Sequence, residues 1–211
     1  MEQLYTIAVI GGTGKAGQYL VRELIRQGYK IKMLVRNPEK FKLDKSGVEI
    51  IQGDVRRYES VYSLINGCSA VISTLGQTKG ETPVFSITAQ NITKAMNLLY
   101  VQRYLVITSL TLDTPDDKKS RGTKFQSKMM KLIFPSIIAD KQKEYEIISK
   151  SALDWTVVRL PFIKLTESTG EIKISLTDCP GKKISSTDLS NFLIDQLTDE
   201  RFIRKAPFIA N

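Results

Sequence analysis

The sequence predicts an α/β protein, a single doubly wound domain on a mostly parallel sheet, and three observations carry that prediction. Short β-branched runs alternate with amphipathic stretches of about 10 to 15 residues, the pattern of βαβ units. Runs such as Ile7–Ile10, Ala70–Thr74 and Tyr104–Ser109 are almost continuously apolar, as strands covered on both faces must be. A glycine-rich turn joins the first of these runs to an amphipathic stretch. The chain has 211 residues, 42% of them hydrophobic, and one domain over residues 1–211 accounts for them.

The expected strands are Thr6–Ile10, Ile31–Val35, Val48–Ile51, Ala70–Ser73, Arg103–Thr108 and Trp155–Arg159. The expected helices are Lys15–Gln27, Tyr58–Ile65, Phe85–Leu99 and Lys141–Lys150. After Pro161 the alternation weakens. Gly170–Thr177 reads as a short strand, Thr187–Thr198 as a capped helix and Ala206–Ile209 as a last strand, a small C-terminal region on the substrate side. Thr114–Lys124 reads as a solvated loop, with a mobile lid as the alternative. Pro115, Asp116 and Asp117 precede Lys118, Lys119, Arg121 and Lys124 there, with almost no apolar content.

Charge and composition narrow the chemistry. Thirty-one Lys and Arg against 22 Asp and Glu leave a net charge of +9, which attracts anions such as dinucleotides, flavin phosphates and nucleic acids. Histidine is absent, so the usual metal ligand and the usual acid or base near pH 7 are missing. No metal site is expected, and any proton donor must be Tyr, Lys, Ser, a carboxyl group or water. Cys68 and Cys179 stand in no metal-binding or CxxC spacing, which fits a reducing compartment. The N-terminus lacks signal-peptide features, and no apolar run reaches the roughly 18 residues of a membrane span. The expectation is a soluble cytoplasmic protein with no membrane partner. Nucleic-acid binding through Lys118–Lys131 is disfavoured, because that stretch is short of aromatic residues between its cations.

The strongest signal is Gly11-Gly12-Thr13-Gly14-Lys15-Ala16-Gly17, after strand Ile7–Ile10 and before Leu20, Val21, Leu24 and Ile25 at helical spacing. This is the context of a Rossmann-type dinucleotide-binding unit. Gly11 permits the tight turn, Gly14 lets backbone approach a pyrophosphate, and Gly17 lets the helix pack closely on the strand. The helix N-terminus offers free N–H groups and a positive dipole end to phosphates. Where a NAD-preferring site usually carries an acidic residue, this chain has Arg36, whose guanidinium suits a 2′-phosphate. NADP(H) is therefore expected over NAD(H). Lys40 and Lys42 keep the neighbourhood cationic.

The GxxGxxG spacing, together with Val35-Arg36-Asn37, Gly53-Asp54-Val55, Val71–Gly76 and Thr108-Ser109 in that order, resembles the atypical short-chain dehydrogenase/reductases. Within them the likeness is to the biliverdin reductase B and flavin reductase group, with NmrA-like proteins as neighbours. The resemblance implies cofactor contacts at Gly11, Thr13, Gly14, Lys15, Ala16, Gly17 and Arg36. It also implies Asp54 and Val55 beside the adenine and Leu75-Gly76-Gln77 beneath the cofactor. Lys141 would lie near the nicotinamide ribose, and the turn at Pro161-Phe162 would close over the nicotinamide. Ser109 takes the position of the active-site serine.

Two departures matter. No tyrosine has a lysine four residues later, which argues against ordinary carbonyl chemistry, and Phe162 replaces a histidine, which argues against biliverdin as substrate. The resulting reading is an NADPH-dependent reductase of flavin or another small planar acceptor, monomeric or weakly dimeric. A non-catalytic NADP(H) sensor of the NmrA-like type is the alternative.

Overall fold

The computed structural model describes residues 5–40 and 47–211, the side chain of Lys40 excepted. Strands β1 (Thr6–Ile10), β2 (Lys30–Val35), β3 (Val48–Gln52), β4 (Ala70–Ser73), β5 (Arg103–Ser109) and β6 (Asp154–Leu160) form the body of one sheet. Helices α1 (Lys15–Arg26), α2 (Tyr58–Ile65) and α3 (Phe85–Leu98) connect the early strands, and α4 (Arg121–Ile133) and α5 (Pro135–Ser149) lie between β5 and β6. Strands β7 (Phe162–Lys164), β8 (Lys173–Ser175) and β9 (Lys183–Ser185), helix α6 (Ser186–Asp195) and β10 (Phe208–Ala210) follow. The main sheet runs β3-β2-β1-β4-β5-β6-β10-β8, parallel throughout except for β8 against β10, and β7 pairs with β9 separately.

Side chains alternate across a strand, so each strand feeds two cores. Ile7 and Val9 of β1 pack with Leu20 and Leu24 of α1 and Phe192 of α6. Ala8 and Ile10 pack on the other face with Val61 of α2, Ile92 of α3 and Ile148 of α5. This double covering is why the strand runs are apolar at every position. The strand order reverses between β1 and β4, which makes their C-terminal ends the topological switch point where such sheets bind ligands.

The first half matches the sequence expectation to within a residue or two, and the departures lie further on. Helix α5 starts at Pro135, six residues before Lys141, and α4 was not foreseen at all. Thr114–Lys124 is exposed at seven of its eleven residues, as expected of a solvated loop, but it is anchored at Asp117 and Lys119 and its last four residues begin α4. Lys119 is only 7% exposed and donates to the Leu112 carbonyl at 2.6 Å and to Asp113 at 2.8 Å. Asp117 pairs with buried Arg159, and the Ser120 hydroxyl caps α4 by accepting from the Thr123 amide at 3.3 Å. Arg159 also donates to the Ala206 and Leu176 carbonyls at 2.8 and 2.9 Å and lies over the Phe208 ring, fastening the C-terminal region to β6. Of the cations only Lys119 is buried, while Lys118, Arg121 and Lys124 are exposed, and the anchor that sequence could not show is that of Asp117, 42 residues away. Strand β8 and helix α6 are shorter than expected, and Ser185 rather than Thr187 opens α6. Lys42 lies outside the described residues.

Candidate functional site

A cleft of about 1270 Å³ opens at the switch point. Its floor is the turn after β1. Gly11 has φ +78°, and a Cβ there would stand 2.7 Å from the backbone of Thr74 and Leu75, so only glycine fits between β1 and β4. At Gly17 a Cβ would come within 2.2 Å of the Gly11 carbonyl oxygen, so this glycine sets how closely α1 rests on the turn and does not line the cleft. Gly14 is the N-cap of α1 and supplies no side-chain cap, and no acidic residue occupies the first turn. The first amides of α1 therefore lack a side-chain acceptor and face the cleft with the positive end of the helix dipole. Thr13, Lys15 and Ala16 line the cleft beside them.

One end is charged, with Arg36 and Arg56 facing Asp54 and Glu81. Arg36, just beyond β2, donates to both oxygens of Glu81 at 2.9 and 2.8 Å and to Thr78 at 3.3 Å. Arg56 reaches the same carboxylate at 3.1 Å and also binds Asp54 at 3.0 Å, while Asp54 accepts from the Arg56 amide at 2.8 Å. Arg36 and then Arg56 hold the Glu81 carboxyl below the usual carboxylate range. Two guanidinium groups thus converge on a single anion. Val55, Leu75, Gly76 and Gln77 form the adjoining wall, where Gln77 fastens its own loop by donating to the Thr78 and Glu81 carbonyls. A Cβ at Gly76 would meet no protein atom within 4 Å.

The other end is mainly apolar. Ser109 closes β5, its hydroxyl bonded to that of buried Thr111 and accepting from the Thr111 amide at 3.2 Å. Both line the cleft and an adjoining cavity of about 630 Å³, which runs under Met130, Phe134 and Ile138. Pro161 is buried at the junction, and Phe162 lines the main cleft only. Lys141 lines the smaller cavity and not the main cleft. Its ammonium donates to the Ile107 carbonyl at 3.2 Å and to Glu144 at 2.8 Å, and lies 3.9 Å from the centre of the Phe85 ring. Burial pushes the Glu144 carboxyl up despite that partner. The thiols lie apart from this chemistry, and burial raises that of Cys68 to about 11.

Sequence reasoning missed Arg56, Glu81 and Thr111. Arg56 and Thr111 each stand two residues from a residue already singled out. Glu81 carried no local signal, since its partner Arg36 is 45 residues away.

A family model described as NAD(P)H-binding matches residues 11–200. The chain belongs to that NAD(P)H-binding family. Among curated relatives, the chloroplastic protein TIC 62 of Pisum sativum is 28% identical over 182 aligned residues, covering 72% of this chain and 32% of that protein. The photosystem II assembly factor Ycf39 of Trieres chinensis is 39% identical over 70 residues, 33% of this chain and 22% of that one. This NAD(P)H-binding chain thus spans about a third or less of either relative. One relative being chloroplastic, the comparisons do not carry the cytoplasmic expectation.

Solved structures share the fold. A short-chain dehydrogenase/reductase of Veillonella parvula in complex with NADP has a TM-score of 0.81 at 15% identity, covering 98% of this chain and 94% of that one. ChuY, an anaerobillin reductase from Escherichia coli, has a TM-score of 0.81 at 16% identity, covering 97% and 96%. No helix among the described residues is long and apolar enough to cross a membrane.

Proposed function

We infer that the protein is an NADPH-dependent reductase of flavin or another small planar acceptor. The observation that carries this reading is the convergence of Arg36 and Arg56 on one carboxylate at one end of a cleft that is apolar at the other. A bound dinucleotide would lay its pyrophosphate over the first amides of α1, which have no side-chain acceptor. Its 2′-phosphate would take the place, or a share, of the Glu81 carboxylate between the two guanidinium groups. The nicotinamide supplies hydride when bound. For that step the chain's own residues orient and shield: Ser109 and Thr111 present hydroxyls, Pro161 and Phe162 wall the reacting end, and the adjoining cavity receives the acceptor. Lys141, at the acceptor side, holds a positive charge toward a reduced product.

The test is the ratio of dissociation constants for NADH and NADPH in the wild type and Arg36→Asp, at one ionic strength. The wild type should prefer NADPH, and the variant should lose about tenfold of that ratio, because half-exposed charge contacts are screened. Oxidation of NADPH with a panel of flavins and quinones then separates a reductase from a protein that only binds. An unmoved ratio overturns the cofactor assignment, and silence across the panel overturns the catalytic one.

A further inference from the structure

We propose that α4 and the corner that follows it form a seat for an anionic lipid surface, holding this protein on the face of a membrane without crossing it. The primary observation is an inverted helix. Of Arg121–Ile133 only Thr123 and Ser127 are buried, both small and polar. Phe125 is 68% exposed and Leu132 69%, and Met129, Ile133 and Phe134 are exposed beside them. No residue of α4 belongs to either hydrophobic core. At about 100° per residue, Phe125, Met129, Leu132 and Ile133 fall within an arc of roughly 100° pointing away from the protein. A helix this amphipathic ordinarily turns that arc inward.

Charge selects the partner. Arg121, Lys124 and Lys128 are exposed and occupy the next arc of about 60° on the same helix. Among the described residues they enter no ion pair, whereas Lys131 on the row's inner edge is held by Asp113. From Lys118 to Ala139 the chain has no acidic residue. An apolar arc flanked by lysines is what an interfacial helix presents: the rings and aliphatic chains enter the headgroup boundary and the lysine stems reach the phosphates. A second copy fits poorly, because an antiparallel two-fold pairing would set the same cation row against itself and any pairing would bring together two chains at +9. The arc is also a convex helix surface with no groove for a partner helix. The sequence expectation of no membrane contact rested on spanning length, which an interfacial helix does not need.

The mounting supports the same reading. Ser120 caps the N-terminus, Lys119 is buried beneath it, and Lys131 bonds Asp113, so the helix is pinned by polar contacts that leave the apolar arc free. Neither Phe125, Lys124, Lys128 nor Leu132 lines the cleft or its side cavity. Phe134 at the corner does line that cavity, so variants confined to these four residues test the seat apart from the cofactor reading.

The experiment is sedimentation of the full chain with large vesicles, either phosphatidylcholine alone or equal parts of phosphatidylcholine and phosphatidylglycerol. Binding to the anionic vesicles should be at least about tenfold stronger, at roughly fivefold per cation near the surface, and should fall with added salt. Phe125→Ser with Leu132→Ser, and separately Lys124→Glu with Lys128→Glu, should each reduce it by about tenfold or more while leaving the melting temperature and NADPH affinity unchanged. Leu132→Trp should add a fluorescence component that shifts to the blue with anionic vesicles, since Trp155 is buried and blind to them. Equal binding to both vesicle types, no binding to either, or variants that bind like the wild type would overturn the proposal. So would a wild-type dimer that the apolar variant dissolves while vesicle binding persists.

Discussion

Helices α1 and α4 have the same amphipathic design and opposite orientations. Helix α1 turns Gly17, Leu20, Val21 and Leu24 into the core and leaves Arg22 and Arg26 outside. Helix α4 turns Thr123 and Ser127 inward and leaves Phe125, Met129 and Leu132 outside. One helix is held through its face by removal of apolar surface from water, the other through its ends and approach by hydrogen bonds and ion pairs. The lesson is that periodicity reports an apolar face but not what covers it.

The largest test of this contrast removes the clasp that carries the approach to α4. Asp117→Ala leaves the Arg159 guanidinium buried and unpaired, and should cost about 3–5 kcal/mol in urea unfolding. Hydrogen exchange should accelerate first in residues 112–134. Acid acts on the same contact. Burial alone would raise the Asp117 carboxyl, but hydrogen bonds from Arg159 and Thr114 outweigh it and hold it below the ordinary value of 3.8. A depressed carboxylate contributes its stability fully above its unfolded pKa and loses it as pH falls through the native one. The clasp should thus be intact at neutral pH and weaken below pH 3.8, a dependence that Asp117→Asn should abolish.

The next test compares the two faces directly. Leu24→Ala in α1 should cost about 2–5 kcal/mol, because it opens a cavity in a close-packed core. Leu132→Ala in α4 should stay within about 0.5 kcal/mol. Similar costs for the two would mean that α4 is covered by something in solution. The smallest loss of a native contact concerns the cap: Ser120→Ala should remove about 1 kcal/mol and fray the first turn of α4, as circular dichroism and exchange at Thr123 would report. No loss there would place the anchoring of α4 entirely in its ion pairs.

The candidate site divides along the same line. The glycine turn was legible because its glycines answer local demands: a positive φ at Gly11, close approach of α1 at Gly17, and at Gly14 a tight turn whose amide donates to the Gly11 carbonyl at 2.9 Å. Arg36 was legible as a position, yet its engagement with Glu81 was not, and under the proposed function a 2′-phosphate would have to compete with that carboxylate. Lys141 was expected beside the cofactor and stands at the neighbouring cavity, where Ile107 and Glu144 hold its ammonium.

By itself, then, the sequence determined the terms that act within one turn or one strand. These are the continuous apolar runs and the period-3.6 helix faces that made the doubly wound sheet, the dihedral freedom of the glycine turn, and the net charge that draws anions. Only the tertiary structure decided which way α4 faces, where Lys119 and Asp117 go, and what Arg36 touches. For Asp117 and Arg36 the partners lie 42 and 45 residues away, and their meeting is set by the packing of the whole sheet and leaves no trace in local spacing.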